Sequence, residues 1–237
     1  MKRCWAAMWL IAAAMCAVGA RGQVAGAAAS GAAAQASPAS AATKVYTNAE
    51  LHLTFTYPAE LGPVDAAPVA AVARRMVYGD DASEDKCTKV LLAVGEGSGR
   101  GQGGGQGGWA RVGLVEVNAQ CFPAKVLREK KATDRLLRNF VTQATTVMGT
   151  MPLEQAAGYE IEGRRACFAA AQGTPVTAGD VQTAGEELLG VAAVATEGRV
   201  VAWVIETNDG GMFNRLLGSG VDFGTGKTER LLPAQVR

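Results

Sequence analysis

One histidine serves all 237 residues. That scarcity removes most histidine chemistry. No H-E-x-x-H zinc helix can be written, and a nucleophile-base pair has only His52 to use. No run of five or more like charges occurs, and the formal net charge is +1. The chain therefore lacks the electrostatic footprint of a partner for nucleic acid or for an anionic membrane surface. No serine sits in G-x-S-x-G, so the hydrolase elbow is absent.

What is present begins with a leader. Lys2 and Arg3 precede an uncharged apolar run from Trp5 to Val18, followed by the small residues Gly19 and Ala20. The run is shorter than the ~20 residues a membrane span needs. It reads as a secretory signal, residues 1–20, cut after Ala20 or after Gly22; the other reading is a retained anchor. Cys16 does not make a lipidation site, because Met15 precedes it. Cleavage removes Lys2 and Arg3, leaving 21 basic side chains against 22 acidic ones. Residues 21–43 are Ala, Ser and Gly with one Pro, a composition that buries no core and is expected to be a disordered tether. The expected destination is the periplasm or the extracellular space, with no transmembrane segment after cleavage.

Cys87, Cys121 and Cys167 remain in the mature chain. Cys87 precedes the apolar run VLLAV (90–94), and Cys121 follows WARVGLVEVNAQ (109–120). If these runs form one hairpin, the two cysteines meet at its open end, and an oxidising compartment favours a disulfide. Cys167, in RRACFAAA, is left as a buried thiol. As a nucleophile it would need a base, and His52 is the one histidine available.

ELHLTFTYP (50–58) alternates: Leu51, Leu53, Phe55 and Tyr57 face one way, His52, Thr54 and Thr56 the other, as in a half-buried strand. A short helix is expected to start at Pro68. KVLLAV (89–94) and VGLVEV (112–117) read as paired strands, with Gly113 marking a bulge. A long helix is expected from about Lys125 to Met148, with Leu137, Phe140, Val141, Ala144, Val147 and Met148 on its apolar face. Asp134 and Arg138 form an i,i+4 pair on its outer side, and Gly149 stops it. GYEIEGRRACFAAA (158–171) reads as a hairpin turning at Glu162-Gly163. ELLGVAAVA (187–195) and RVVAWVIET (199–207) form another, turning at Glu197-Gly198. Asn208 or Asp209 caps a short helix, and VDF (221–223) is a last edge strand. The fold class is α+β: a mostly antiparallel sheet built from hairpins, flanked by one long helix and one or two short ones.

The glycine-rich stretch 95–108 contains two overlapping G-x-G-x-x-G matches, on Gly99, Gly101, Gly104 and on Gly103, Gly105, Gly108. A dinucleotide fingerprint needs a helix after it, and here a strand follows, so a flexible hairpin loop is expected. GTGKT (224–228) fails as a Walker A loop because Val221 stands where its first glycine belongs. Asp80, Asp81, Glu84 and Asp85 cluster in GDDASEDK. They are weak candidates for a hard cation, since their spacing fits no EF-hand and a solvated acidic loop accounts for them. Trp109 and Trp203 read as sheet packing. No catalytic residue and no cofactor site emerges.

Three stretches resemble PsbP-like domains. YTNAELHLTFTYPAEL (46–61) resembles their opening, YEIEGRRACFAAAQG (159–173) their middle hairpin, and GRVVAWVIETNDGGMFNRLLGSGVDF (198–223) their close. The resemblance places the domain at 44–223, with residues 224–237 as a C-terminal tail. It implies an antiparallel sheet flanked by helices, a fold used by extrinsic photosystem II subunits, a Ran-binding nuclear protein and bacterial envelope proteins of unknown role. No metal-site histidine of the photosynthetic members finds a matching position, and the glycine loop departs from the family. The expectation is a secreted, non-enzymatic binding or assembly module whose partner is another envelope protein or a small ligand. The alternatives are an envelope enzyme with a carboxylate-based site, or a carrier of a small apolar ligand held between sheet and helix.

Overall fold

The computed structural model describes residues 42–79, 84–96, 108–123, 125–146, 150–173 and 187–233. All of them belong to the unit from Ser40 to Arg237. Two sheets organise it. The larger has seven strands in the order β3-β4-β5-β9-β8-β7-β6, all antiparallel: β3 Gly62–Pro63, β4 Thr88–Glu96, β5 Ala110–Val117, β6 Thr150–Ile161, β7 Arg164–Gly173, β8 Glu187–Thr196 and β9 Arg199–Thr207. The smaller runs β1-β2-β10-β11, with β1 Thr43–Asn48, β2 Leu53–Pro58, β10 Gly220–Asp222 and β11 Glu229–Arg230. The helices are α1 Ala67–Tyr78, α2 Lys130–Thr145 and α3 Gly210–Leu217. The α+β class and the hairpin pairs β4/β5, β6/β7 and β8/β9 agree with the sequence reading.

Strand alternation sorts the large sheet's side chains between two cores. On β9, Val201, Trp203 and Ile205 enter one cluster, while Val200, Ala202 and Val204 enter the other. The first cluster lies under the small sheet and α3, where Phe55 and Phe223 pack edge-on against Trp203 at 6.0 and 6.3 Å. The second lies under α1 and α2, whose Val69, Met76, Leu137 and Val141 are fully buried. Both cores have buried large aliphatic side chains, each worth about 1.5–3 kcal/mol.

Several local expectations change. The strand starts at Leu53, because residues 49–52 form a turn in which His52 takes φ 49° and stays exposed. Gly113 marks no bulge; the irregularity lies opposite, between Val90 and Leu92. Gly113 instead admits α1: a Cβ there would stand 2.1 Å from Val69 Cγ1. The long helix begins at Lys130, since Glu129 is extended and Val126–Arg128 forms a separate 3-10 turn. It ends at Thr145; Val147, Met148 and Gly149 lie outside the described residues. Asp134 does not hold Arg138. It pairs with Arg165 of β7, and Arg138 donates to the Ala156 carbonyl at 2.5 Å. The strand at 220–222 is interior, flanked by β2 and β11. Residues 224–232 are no free tail: they supply β11 and the buried pair Leu231 and Leu232.

Asp209 is the helix cap of the expected pair, accepting from the Gly211 and Met212 amides at 2.7 and 3.2 Å. Trp109 lies just before β5, within cation-π reach of Arg111 at 5.8 Å. The strand β5 follows the glycine stretch as expected, although residues 97–107 lie outside the described set.

Candidate functional site

Two hollows adjoin where the β6–β7 hairpin meets α2. The smaller, about 370 Å³, is bounded by Asp134 and Arg138 of α2 and by Tyr159, Glu160, Arg165 and Cys167 of the hairpin. The larger, about 660 Å³, opens beside the turns 162–163 and 197–198. Its walls include Phe122, Leu127 and Arg128 on one side and Thr196 and Glu197 on the other.

The turn chemistry explains why these groups converge. Glu162 and Gly163 both take positive φ, 46° and 73°, so the hairpin reverses in two residues. The next two residues then point to opposite faces. Arg165 points to α2, where its guanidinium grips Asp134 through Nε and NH2 at 2.7 and 2.6 Å and Glu160 through NH1 at 2.6 Å. The Arg165 hydrogen bond holds the Asp134 carboxyl below its ordinary range. Arg164 points the other way, over the Phe223 ring at 4.7 Å, and donates to the Phe223 carbonyl at 3.4 Å.

Glu162 has a side chain only 2% exposed. Both of its oxygens accept the Phe223 amide, and its own amide donates to Glu229 at 3.0 Å. Lys227 holds Glu229 from outside at 2.7 Å, and that hydrogen bond lowers the Glu229 carboxyl. Tyr159 donates to the Leu231 carbonyl at 2.8 Å. The hairpin is thus tied to α2 on one face and to the C-terminal segment on the other.

Cys167 is free and 2% exposed, and burial pushes its thiol up to about 11 against the opposing pull of Arg138. A thiol so raised is a poor nucleophile at neutral pH. Cys87 and Cys121 are joined, with Cα atoms 5.7 Å apart, at the open end of the β4–β5 hairpin. Asp80 and Asp81 lie outside the described residues. Glu84 meets Lys86 in a well-solvated ion pair at 3.3 Å. Asp85 accepts from the Cys87 and Thr88 amides at 2.9 and 3.0 Å and from the Thr88 hydroxyl. Partial burial would raise its carboxyl, but those hydrogen bonds prevail and lower it. The structure therefore does not bring Glu84 and Asp85 together as ligands. Among the described residues no group of three or more His, Cys, Asp or Glu is arranged to hold a metal ion.

The space proposed for an apolar ligand, between sheet and helices, is filled at its centre by Val69 against Gly113 and by Leu137 and Val141. Among the described residues no helix is long and apolar enough to cross a membrane.

The groove itself went unread in the sequence. Its one visible signal is the charge pattern E-x-E-G-R-R across a turn, which forces neighbouring arginines onto opposite faces.

No family model and no curated protein matches the chain. Among solved structures it is similar to the Ran-binding protein Mog1p of Saccharomyces cerevisiae, at 12% identity and TM-score 0.35, over 72% of this chain and 79% of that one. It is similar to the cyanobacterial PsbP of Synechocystis sp. PCC 6803, also at 12% and 0.35, over 71% and 82%. A third is LpqN of Mycobacterium tuberculosis, involved in cell envelope biogenesis, at 10% and 0.31, over 57% and 74%. The PsbP and Ran-binding structures are of the kinds that the sequence resemblance names.

Proposed function

We infer that this is an exported envelope protein whose α+β domain docks another envelope protein in the 660 Å³ groove, without turning it over. The observation that carries the reading is how the charges around the groove are used. Arg165, Arg164 and Glu162 are engaged with α2 and the C-terminal segment, so they hold the walls in place. Arg128 and Glu197 stand exposed at the rim, with the half-buried Leu127 beside them and Phe122 buried behind it. A partly exposed leucine between charges of opposite sign suits recognition of a polypeptide segment. Export is supported by the leader at 1–20 and by the Cys87–Cys121 bond, which persists in oxidising compartments.

A photo-crosslinking residue placed at Arg128 or at Glu197 tests this in the protein's own cells. One dominant envelope protein crosslinked from both positions, and not from Val45 on β1, is the expected result. Equal labelling from Val45 removes the groove from the reading. Turnover of a substrate that survives every other change but is lost with one groove carboxylate would replace the docking module by an enzyme.

A further inference from the structure

The connection between β5 and α2 supplies one wall of the larger groove, through Phe122, Leu127 and Arg128. Among its described residues, Phe122 is buried in the core beneath α1 and α2, and Cys121 and Leu127 pack against that core. The Asn118 amide donates to the Cys87 carbonyl at 2.8 Å. The bonds from the Cys121, Val126 and Arg128 amides stay within the segment. Phe122 stands edge-on to Phe140 of α2 with ring centres 6.4 Å apart, and the Thr133 hydroxyl donates to the Val126 carbonyl at 2.9 Å. The cross-link to Cys87 falls one residue before Phe122.

Cys87 and Cys121 are both half-buried. Their surroundings differ. Cys121 rests against the apolar cluster beneath α1 and α2. Cys87 receives a hydrogen bond from Tyr78, the last residue of α1, whose hydroxyl reaches its Sγ at 2.8 Å. The Lys86 amide donates to the same hydroxyl at 3.2 Å and fixes its position. A disulfide sulfur is a weak acceptor and gains little from such a donor. A departing thiolate gains much more, and a stabilised thiolate leaves faster.

We propose that the Cys87–Cys121 bond is a redox latch on the groove wall, with Tyr78 positioned to assist its opening. The proposal rests on the docking reading of that groove. The reductant is an external dithiol of the thiol–disulfide oxidoreductase class. One of its thiolates attacks Cys121 Sγ, and the electron pair of the broken S–S bond leaves on Cys87, beneath the Tyr78 hydroxyl. The second thiolate attacks the mixed disulfide and releases Cys121. Two electrons pass to this protein, the donor becomes a disulfide, and the donor's two thiol protons end on Cys87 and Cys121. The described residues of the segment then keep the core packing of Phe122 and Leu127 and the Thr133 bond but lose their covalent tie to β4, and the groove wall loosens.

The test compares the oxidised full chain with the chain reduced by dithiothreitol. Amide hydrogen exchange reports the wall, and crosslinking from Glu197 on the opposite side reports docking. Exchange in 119–128 is expected to rise at least tenfold on reduction while β8 and β9 keep their protection. Tyr78→Phe is expected to slow reduction about threefold, in the range of one ordinary hydrogen bond. Unchanged exchange in 119–128 overturns the latch. So does loss of protection in β8 and β9, which would make the bond a staple of the whole fold. An unaltered reduction rate in Tyr78→Phe overturns the tyrosine's part. Equal crosslinking in both redox states overturns the control of docking. A wall that loosens while Glu197 captures no partner in either state upholds the latch and sinks the docking reading.

Discussion

The Glu162 carboxylate accepts the backbone amide of Phe223 through both oxygens, at 3.1 and 3.2 Å, from a side chain that is 2% exposed. A residue in a two-residue turn thereby positions a strand end 61 positions further along the chain. Glu162→Ala strands that amide and removes the partner of Arg164. An unsatisfied buried donor costs about 1–3 kcal/mol, and the expected loss on denaturant unfolding is about 2 kcal/mol. Exchange in residues 224–232 is expected to accelerate before exchange in the large sheet. A variant as stable as the parent would show that the bond contributes nothing.

Gly113 gives a sharper case, because its missing side chain is space that Val69 occupies. A Cβ at Gly113 would lie 2.1 to 2.9 Å from three Val69 atoms. Overpacking of this kind costs about 1–3 kcal/mol. Gly113→Ala is expected to fall at the upper end, and Val69→Ala in the same chain should recover part of it. A double-mutant cycle with no coupling would show that the two sites do not touch.

The alkaline limb of the stability curve should carry the signature of Cys167. Its folded thiol is raised to about 11 by burial, whereas an unfolded thiol titrates at about 8.5. Between those values the unfolded chain has released a proton that the folded chain keeps. Stability is therefore constant below about pH 8.5 and falls as pH rises toward 11. Tyr159, raised by burial first and by Cys167 second, extends the fall to higher pH. Urea midpoints from pH 8 to 11 should show a shallower decline in Cys167→Ala. Equal slopes in the two proteins would mean that the thiol titrates without regard to folding.

Asp209 caps α3 with two backbone hydrogen bonds. Asp209→Ala is expected to lower stability by about 1 kcal/mol, and Asp209→Ser to restore most of it. If serine does no better than alanine, the carboxylate acts through something other than the cap.

The three hairpins were legible because their signals are local. Near-continuous apolar runs mark β7 through β9, and Glu162-Gly163 and Glu197-Gly198 are turn residues between them. β1 was not legible, because TKVYTN is an edge strand with a mostly exposed pattern and no buried period to detect. The closing segment escaped for the opposite reason: Leu231 and Leu232 are fully buried, but two leucines define no period. Asp134 misled because helical spacing offers Arg138 as a partner, while the fold brings a bidentate arginine from 31 positions away. The groove was illegible in principle. Arg128, Arg165 and Glu197 come from three separate segments, and only the packing of α2 on the hairpins assembles them.

β2 pairs on one side with β1, which precedes it, and on the other with β10, near the end of the chain. A ribosome or an export channel delivers these pieces in order, N-terminus first. Leu53 and Phe55 are therefore synthesised long before the strand and the aromatic ring that complete their surroundings. That apolar face stays uncovered until residues 220–232 arrive. A stalled or truncated product ending before Gly220 would keep the face exposed, making it a ready target for chaperones and proteases.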